Sequence, residues 1–359
     1  MSGVKKSTII TGLDISSSKI SAAALEILDP TVSRILAYES QPSRGVFRGS
    51  IIGLDEASNS IARVLTKLEE KTSKDPGDIY VNISGDTVAG EKSRGMVPLS
   101  SRGREVTKSD MDKCVNAAGT IRLPFNREII HRIVLNYSID DQPNIKSPLG
   151  LYASRLSCEM YVITADINHI QNIYKCVDSA GYDIKGIVYS GIADGMSLLE
   201  DEWKEEGVLL LNIGASLTEL SIFSGGSLSA IGIIPIGASD IKGEPGMSAE
   251  FDNIISGVKT KREESLKKGS SIKSAVITGG FAFSEDIIDI LEERLSLPVK
   301  MGVVRNVQGN ISGIDSLRGV TAIGLARYAQ MQYQPKPFHT KGLVKDISDK
   351  VAEIFNNYF

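Results

Sequence analysis

Leu13-Asp14-Ile15-Ser16-Ser17-Ser18-Lys19-Ile20 and, far downstream, Leu211-Asn212-Ile213-Gly214-Ala215-Ser216-Leu217-Thr218 are one phrase written twice in this chain. Each copy follows an apolar run, Thr8 to Leu13 in the first and Val208 to Leu211 in the second. Each then passes through a loop of small residues and re-enters a strand of alternating character. That pattern predicts a β-hairpin whose turn lets a ligand approach closely, because the turn side chains are short. Successive backbone N–H groups in such a turn form a concave nest that suits phosphate oxygens. A single hairpin of this kind is commonplace in α/β proteins. Two, one in each half, predict a duplicated α/β core with a ligand cleft between the halves.

A third signal agrees. Ser274-Ala275-Val276-Ile277-Thr278-Gly279-Gly280 reads as a buried strand ending in a glycine pair, with a helix from about Ser284. Glycines at that point admit a flat or charged ligand without interference from a Cβ. The plainer reading is a tight strand-to-helix turn.

The chain has 359 residues, enough for two domains. Its net charge of −4 argues against a nucleic-acid partner, which calls for a basic excess. Lys259, Lys261 and Arg262 stand beside Glu263 and Glu264 and read as a solvated helix face. Cys114, Cys158 and Cys176 lack metal-binding spacing and read as reduced core thiols. His131, His169 and His339 are too scattered to suggest a zinc site or a Ser-His-Asp set. The first apolar run meets Asp14 too soon for a signal peptide, and no stretch approaches the ~20 apolar residues of a membrane span.

Along the chain, strands are expected at 8–13, 19–28, 34–41 and 79–84. A helix is expected at about 54–72, with Ile61, Val64, Leu65 and Leu68 on one face. Residues 85 to about 165 change character, with strand-like runs at Glu128–Tyr137 and Leu156–Thr164 and a capped helix from Thr107 to about Ala118. This block reads as an insert. A helix from Ile167 to Ala180, a strand from Ile184 to Tyr189 and a helix from Ala193 to Trp203 complete the first half. Near the C-terminus, Gln332-Tyr333-Gln334-Pro335-Lys336-Pro337-Phe338 cannot continue a helix and reads as a short semi-rigid linker. Beyond it Leu343, Val344, Ile347, Val351, Ile354, Phe355 and Tyr358 share one helical face, and Phe359 ends the chain. An amphipathic helix of this kind can lie in a membrane interface. Docking on the protein's own core and insertion into a partner groove are the other readings.

With these pieces assembled, the chain resembles FtsA, the actin-like protein family of bacterial cell division, over most of its length. Gly12 to Ile20 resembles the family's first phosphate loop. His131, Tyr137, Asp140, Pro148, Gly150 and Leu156 resemble the signature of its inserted subdomain. Val276 to Gly280 is similar to its adenosine motif, and Ala322-Ile323-Gly324-Leu325-Ala326 to the end of its second domain. The resemblance implies an actin-like α/β fold of duplicated, ribonuclease H-like design. Residues 1–84 and 166–205 would form the first domain and 85–165 the inserted subdomain. Residues 206–328 would form the second domain, with a shortened subdomain at 242–272. A linker at 329–341 and a membrane-targeting helix at 342–359 would follow.

The resemblance also implies a role on the cytoplasmic face of the membrane at the division site. The protein would tether an FtsZ-type filament, self-associate into protofilaments and recruit other division proteins. ATP with Mg²⁺ would lie between the domains, contacted by Asp14, Ser16, Ser17, Ser18, Lys19, Asn212, Gly214, Ala215, Ser216, Thr218, Gly279 and Gly280. Asp14 would hold the metal through water. The chain departs from the family in the second loop, which normally begins with Asp and continues Gly-Gly-Gly-Thr. Here Asn212 removes the charge, and Ala215 and Ser216 replace glycines. These departures predict weak or absent ATP hydrolysis. A further departure lies between Ile241 and Ala275, where about one helix replaces a whole subdomain. Ala249-Glu250 has no secure counterpart there. The alternatives are a PilM-like cytoplasmic adaptor that binds a peptide of an inner-membrane protein, and a sugar-kinase-like enzyme. The latter lacks a convincing carboxylate base.

Overall fold

Two open sheets carry the molecule, and both are wound the same way. The computed structural model describes residues 8–29, 32–305, 307–309 and 311–332. In the first sheet, Thr8–Ile15, Lys19–Ile27 and Ser33–Pro42 form an antiparallel meander. Asp78–Ile83 and Ile184–Tyr189 then add in parallel on the other side of Thr8–Ile15. In the second sheet, Val208–Ile213, Thr218–Ser224 and Ser227–Ile234 repeat the meander, and Ser274–Thr278 and Val299–Met301 repeat the parallel additions. Central strands of this kind bury both faces and so read as nearly continuous apolar runs. Val208–Ile213 and Ser274–Thr278 do so.

Helices close the faces. Leu54–Thr72 buries Ile61, Val64, Leu65 and Leu68, the stripe its spacing predicts. Acidic Asp55 and Glu56 in its first turn and Lys71 in its last favour that direction of the helix dipole. Ile167–Ser179 packs against it, capped by the Asp166 carboxylate, which accepts from the N–H groups of Asn168 and His169.

The block after Ile83 builds its own antiparallel sheet, ordered Gln142–Ile145, Arg127–Ile139, Arg155–Asp166, Ala89–Pro98. Helix Lys108–Gly119 lies on one face, held by a capping box between Thr107 and Asp110. Gly95 permits that close approach, since a Cβ there would stand 2.3 Å from the backbone nitrogen of Ala118. The stretch after Ile241 holds the long helix Ala249–Lys267, which buries Phe251, Ile254, Ile255 and Val258 against the second sheet. Ser248 caps it and donates to the Glu250 carboxylate, so Ala249-Glu250 serves the helix start.

Four expectations need correction. The helix expected from Ala193 to Trp203 is two, Ser190–Leu198 and Asp201–Glu206, because Leu199 and Glu200 are extended. After the glycine pair the chain makes a 3₁₀ turn, Gly280–Phe283, and the α-helix starts only at Ile287. The expected second domain, 206–328, does not follow the packing at its end. Gln308–Gly309 pairs with Ser33–Pro42, and helix Val320–Gln332 packs on Thr8–Ile15, Lys19–Ile27 and Ser190–Leu198 of the first half. The linker placed at 329–341 begins too early, since 329 to 332 continue that helix. The proposed membrane face from Leu343 to Phe359 lies outside the described residues.

Candidate functional site

The two hairpins superimpose residue for residue in their pairing. Ile15 pairs with Ile20 and Ile213 with Thr218, which leaves Ser16 to Lys19 and Gly214 to Leu217 as the turns. In the first, the Ser16 N–H donates to the Lys19 carbonyl at 3.2 Å; in the second, the Gly214 N–H donates to the Leu217 carbonyl at 3.0 Å. The Asn82 side chain pins the first turn by accepting from the Ile15 N–H at 2.7 Å. Backbone pins the second, with the N–H groups of Ala238 and Ser239 donating to the carbonyls of Gly214 and Ala215 at 2.8 Å each. A Cβ at Gly237 would lie 2.5 Å from the Ser216 nitrogen, so glycine is what lets this support come close.

Both turns open onto one cleft of about 440 Å³, within the size range of small-molecule sites. Asp14, Ser16, Ser17, Ser18, Lys19, Asn212, Gly214, Ala215, Ser216, Gly279 and Gly280 all line it. Thr218 does not. It is fully buried, and its hydroxyl donates to the Ile236 carbonyl at 2.8 Å. The turns touch across the cleft, where the Ser216 hydroxyl donates to the Ser17 hydroxyl at 2.7 Å. The Arg48 backbone N–H donates to the Ser216 hydroxyl, and the Arg48 Nε donates to the Ser216 carbonyl, each at 3.2 Å. Gly279, Gly280, half-exposed Phe283 and Leu317 add apolar and backbone surface to the lining. Gly279 sits at φ +91°, where side chains are strained, and a Cβ on Gly280 would meet only open space. Small-residue turns combined with such a lining suit a phosphorylated ligand with a planar ring.

The floor is acidic, and sequence reasoning found only part of it. Burial raises the Asp14 carboxyl above its ordinary range, against the pull of the Lys19 ammonium. Glu219 and Asp194 were missed. Glu219 stands opposite Asn212 across the second hairpin, lines the cleft and is 5% exposed, and its Oε1 has no hydrogen-bond partner. Burial first, then the nearby Asp194 charge, pushes it up to about 8. Asp194, on helix Ser190–Leu198, lies behind the cleft wall. It accepts from Asn212 Nδ2 at 2.8 Å and from the Thr321 hydroxyl at 2.7 Å, and burial pushes it up to about 7. The available signal was the hairpin register itself, which sets Asn212 and Glu219 against Asp14 and Ser21.

The donor set fits Mg²⁺ held through water. Asp14, Asn212 and Glu219 all line the cleft and offer oxygen atoms, and Glu219 Oε1 is a buried acceptor with an open valence. Among the described residues no three His, Cys, Asp or Glu side chains stand close enough to bind a metal directly.

Comparison with known proteins gives the lineage. Residues 85–164 match the family model of the SHS2 domain inserted in FtsA. The cell division protein FtsA of Borreliella burgdorferi is 27% identical over 96% of this chain and 94% of its own. That of Pseudomonas aeruginosa is 24% identical over 91% of each. The chain is an FtsA-type protein. A chain of the PilM–PilN type IV pilus biogenesis complex shares the fold, with a TM-score of 0.63 over 89% of this chain and 98% of that one at 14% identity. The FtsA-type chain is therefore actin-like in architecture, with two similarly wound sheets, an SHS2 insert in the first half and a cleft between the paired turns.

Proposed function

We propose that this FtsA-type chain is a membrane-associated, actin-like scaffold of bacterial cell division that takes a nucleotide with Mg²⁺ between its halves. It tethers an FtsZ-type filament to the cytoplasmic membrane through residues 342–359, forms protofilaments and recruits other division proteins. The observation that carries the nucleotide part is the meeting of two identically registered small-residue turns across one cleft. Near-full-length similarity to cell division proteins supports the cellular role.

Turnover should be slow. The Ser216–Ser17 hydrogen bond spans the space where a terminal phosphate would sit between the turns, and Asn212 is neutral where Asp14 is an acid. A phosphate entering there must first part the two serines. The cleft thus reads as a binding site whose occupancy sets the relation of the halves.

Co-sedimentation with vesicles containing anionic lipid tests the tether, comparing the full chain with one ending at Tyr333. The full chain should pellet with lipid and the truncated one should stay in the supernatant. If both remain soluble, the terminal segment is not a membrane anchor, and an adaptor that depends on a partner's membrane segment takes the place of this reading.

A further inference from the structure

The first hairpin carries a carboxylate, Asp14, two residues before its turn begins; the second carries the neutral Asn212 at the matching position. The charge has not vanished from that region. Asn212 Nδ2 donates to Asp194 Oδ2 at 2.8 Å, and the Thr321 hydroxyl donates to the other oxygen, Oδ1, at 2.7 Å. Asp194 is 1% exposed and enters from a different element, helix Ser190–Leu198. Asn212 and Thr321 both line the cleft, and Asp194 does not. With its amide nitrogen committed to Asp194, Asn212 keeps its Oδ1 free to serve as an acceptor. That oxygen lies beside Gly279, where a Cβ would come within 2.5 Å of it.

We propose that Asp194 is the displaced carboxylate of the second hairpin: a positioning residue that fixes the Asn212 carboxamide and supplies, one side chain back from the wall, the negative charge that favours a hydrated divalent cation in the cleft. The inference rests on the nucleotide reading above and concerns how that site obtains its preference for metal. A charge in this low-dielectric setting acts over several ångströms with little screening. A hydrogen-bonded amide between charge and ligand transmits orientation as well as field.

Isothermal titration of the full chain above about pH 8, where Asp194 is ionised, with ADP and with ATP, each with and without Mg²⁺, tests the proposal through affinity. The response to read is the ratio of dissociation constants without and with the metal. D194N should lower that ratio by about tenfold, the scale of a typical coupling between neighbouring sites. The paired variant N212D/D194N keeps the hydrogen bond with donor and acceptor exchanged and brings the charge to the wall. It should restore the ratio or exceed that of the unaltered chain. Should D194N prove unable to fold, the paired variant still decides, since it must then match or exceed the unaltered chain. A folded D194N with an unchanged ratio would make Asp194 a structural residue only and overturn the proposal, as would a paired variant whose ratio stays low. If the unaltered chain binds neither nucleotide under either condition, the nucleotide reading itself fails, and this inference with it.

Discussion

Glu219 occupies in the second hairpin the place that Ser21 holds in the first, and the exchange turns a hydroxyl into a buried acid. Its consequence for stability has a definite sign. Burial lifts the folded-state values of Asp194 to about 7 and Glu219 to about 8, so the folded protein holds protons that the unfolded chain has released. The stability these groups contribute is full below their ordinary values near ~4 and is lost as pH rises towards 7 and 8. His131 works oppositely. Its Nε2 accepts the Tyr189 N–H at 3.0 Å, and burial lowers it to about 4, so its contribution grows between about 4 and 6.5 and is constant above. Between pH 6.5 and 8 the His131 contribution no longer changes, while those of the two acids fall. Urea unfolding should show stability falling across that interval, and E219Q should gain about 1–2 kcal/mol on the unaltered chain between its ends. A gap that does not widen with pH would mean that Glu219 is ionised in the folded state. Neither acid was legible in the sequence as part of the site. Glu219 sits inside the alternating strand Thr218–Ser224 and Asp194 inside a short helix, and only the three-dimensional packing brings one into the cleft lining and the other behind it.

Among the elements, the helix Val320–Gln332 decides how the halves are tied. It crosses from the end of the chain's second half to the first sheet and is buried on nearly every side. The approach is backbone to backbone. A Cβ at Gly324 would lie 1.8 Å from the Ala193 carbonyl oxygen, and one at Gly12 would lie 1.9 Å from that of Ala322. Neither partner is a side chain that can swing away, so G324A must push helix Val320–Gln332 off helix Ser190–Leu198. Overpacking of this kind typically costs about 1–3 kcal/mol, and backbone contact places G324A at the upper end. The midpoint of urea unfolding reads it directly; a shift worth less than about 0.5 kcal/mol, the usual scatter of harmless surface changes, would contradict the packing. Helix Leu54–Thr72 and both hairpins could be read from periodicity and small-residue turns, since those signals are local. The layer to which Val320–Gln332 belongs could not be. Its small residues Ala322, Gly324 and Ala326 signal a close approach, but not to what.

For the molecule as a whole, the halves meet at the cleft turns and also at the SHS2 insert. The Tyr161 hydroxyl oxygen accepts from the Ile231 N–H at 2.9 Å, with Tyr161 on strand Arg155–Asp166 and Ile231 on strand Ser227–Ile234. Nearby, Lys92 donates to the Lys268 carbonyl at 3.2 Å, and Lys146 pairs with Glu205 at the surface. Exposed ion pairs of the latter kind contribute little, whereas a buried N–H stripped of its acceptor costs about 1–3 kcal/mol. The Tyr161–Ile231 bond is therefore the part of the junction that matters. Y161F leaves the ring in place and deprives Ile231 of its acceptor. Amide hydrogen exchange at Ile231 and its neighbours should accelerate by about tenfold or more, the change that about 1.4 kcal/mol of lost protection produces. Exchange at Ile20 and Leu25, deep in the first sheet, should not change. Because parting Ser17 from Ser216 displaces one half against the other, a loosened insert should also ease entry to the cleft and quicken nucleotide association. Faster exchange at Ile231 with an unchanged association rate would show that the insert and the cleft move independently, each half flexing about its own junction.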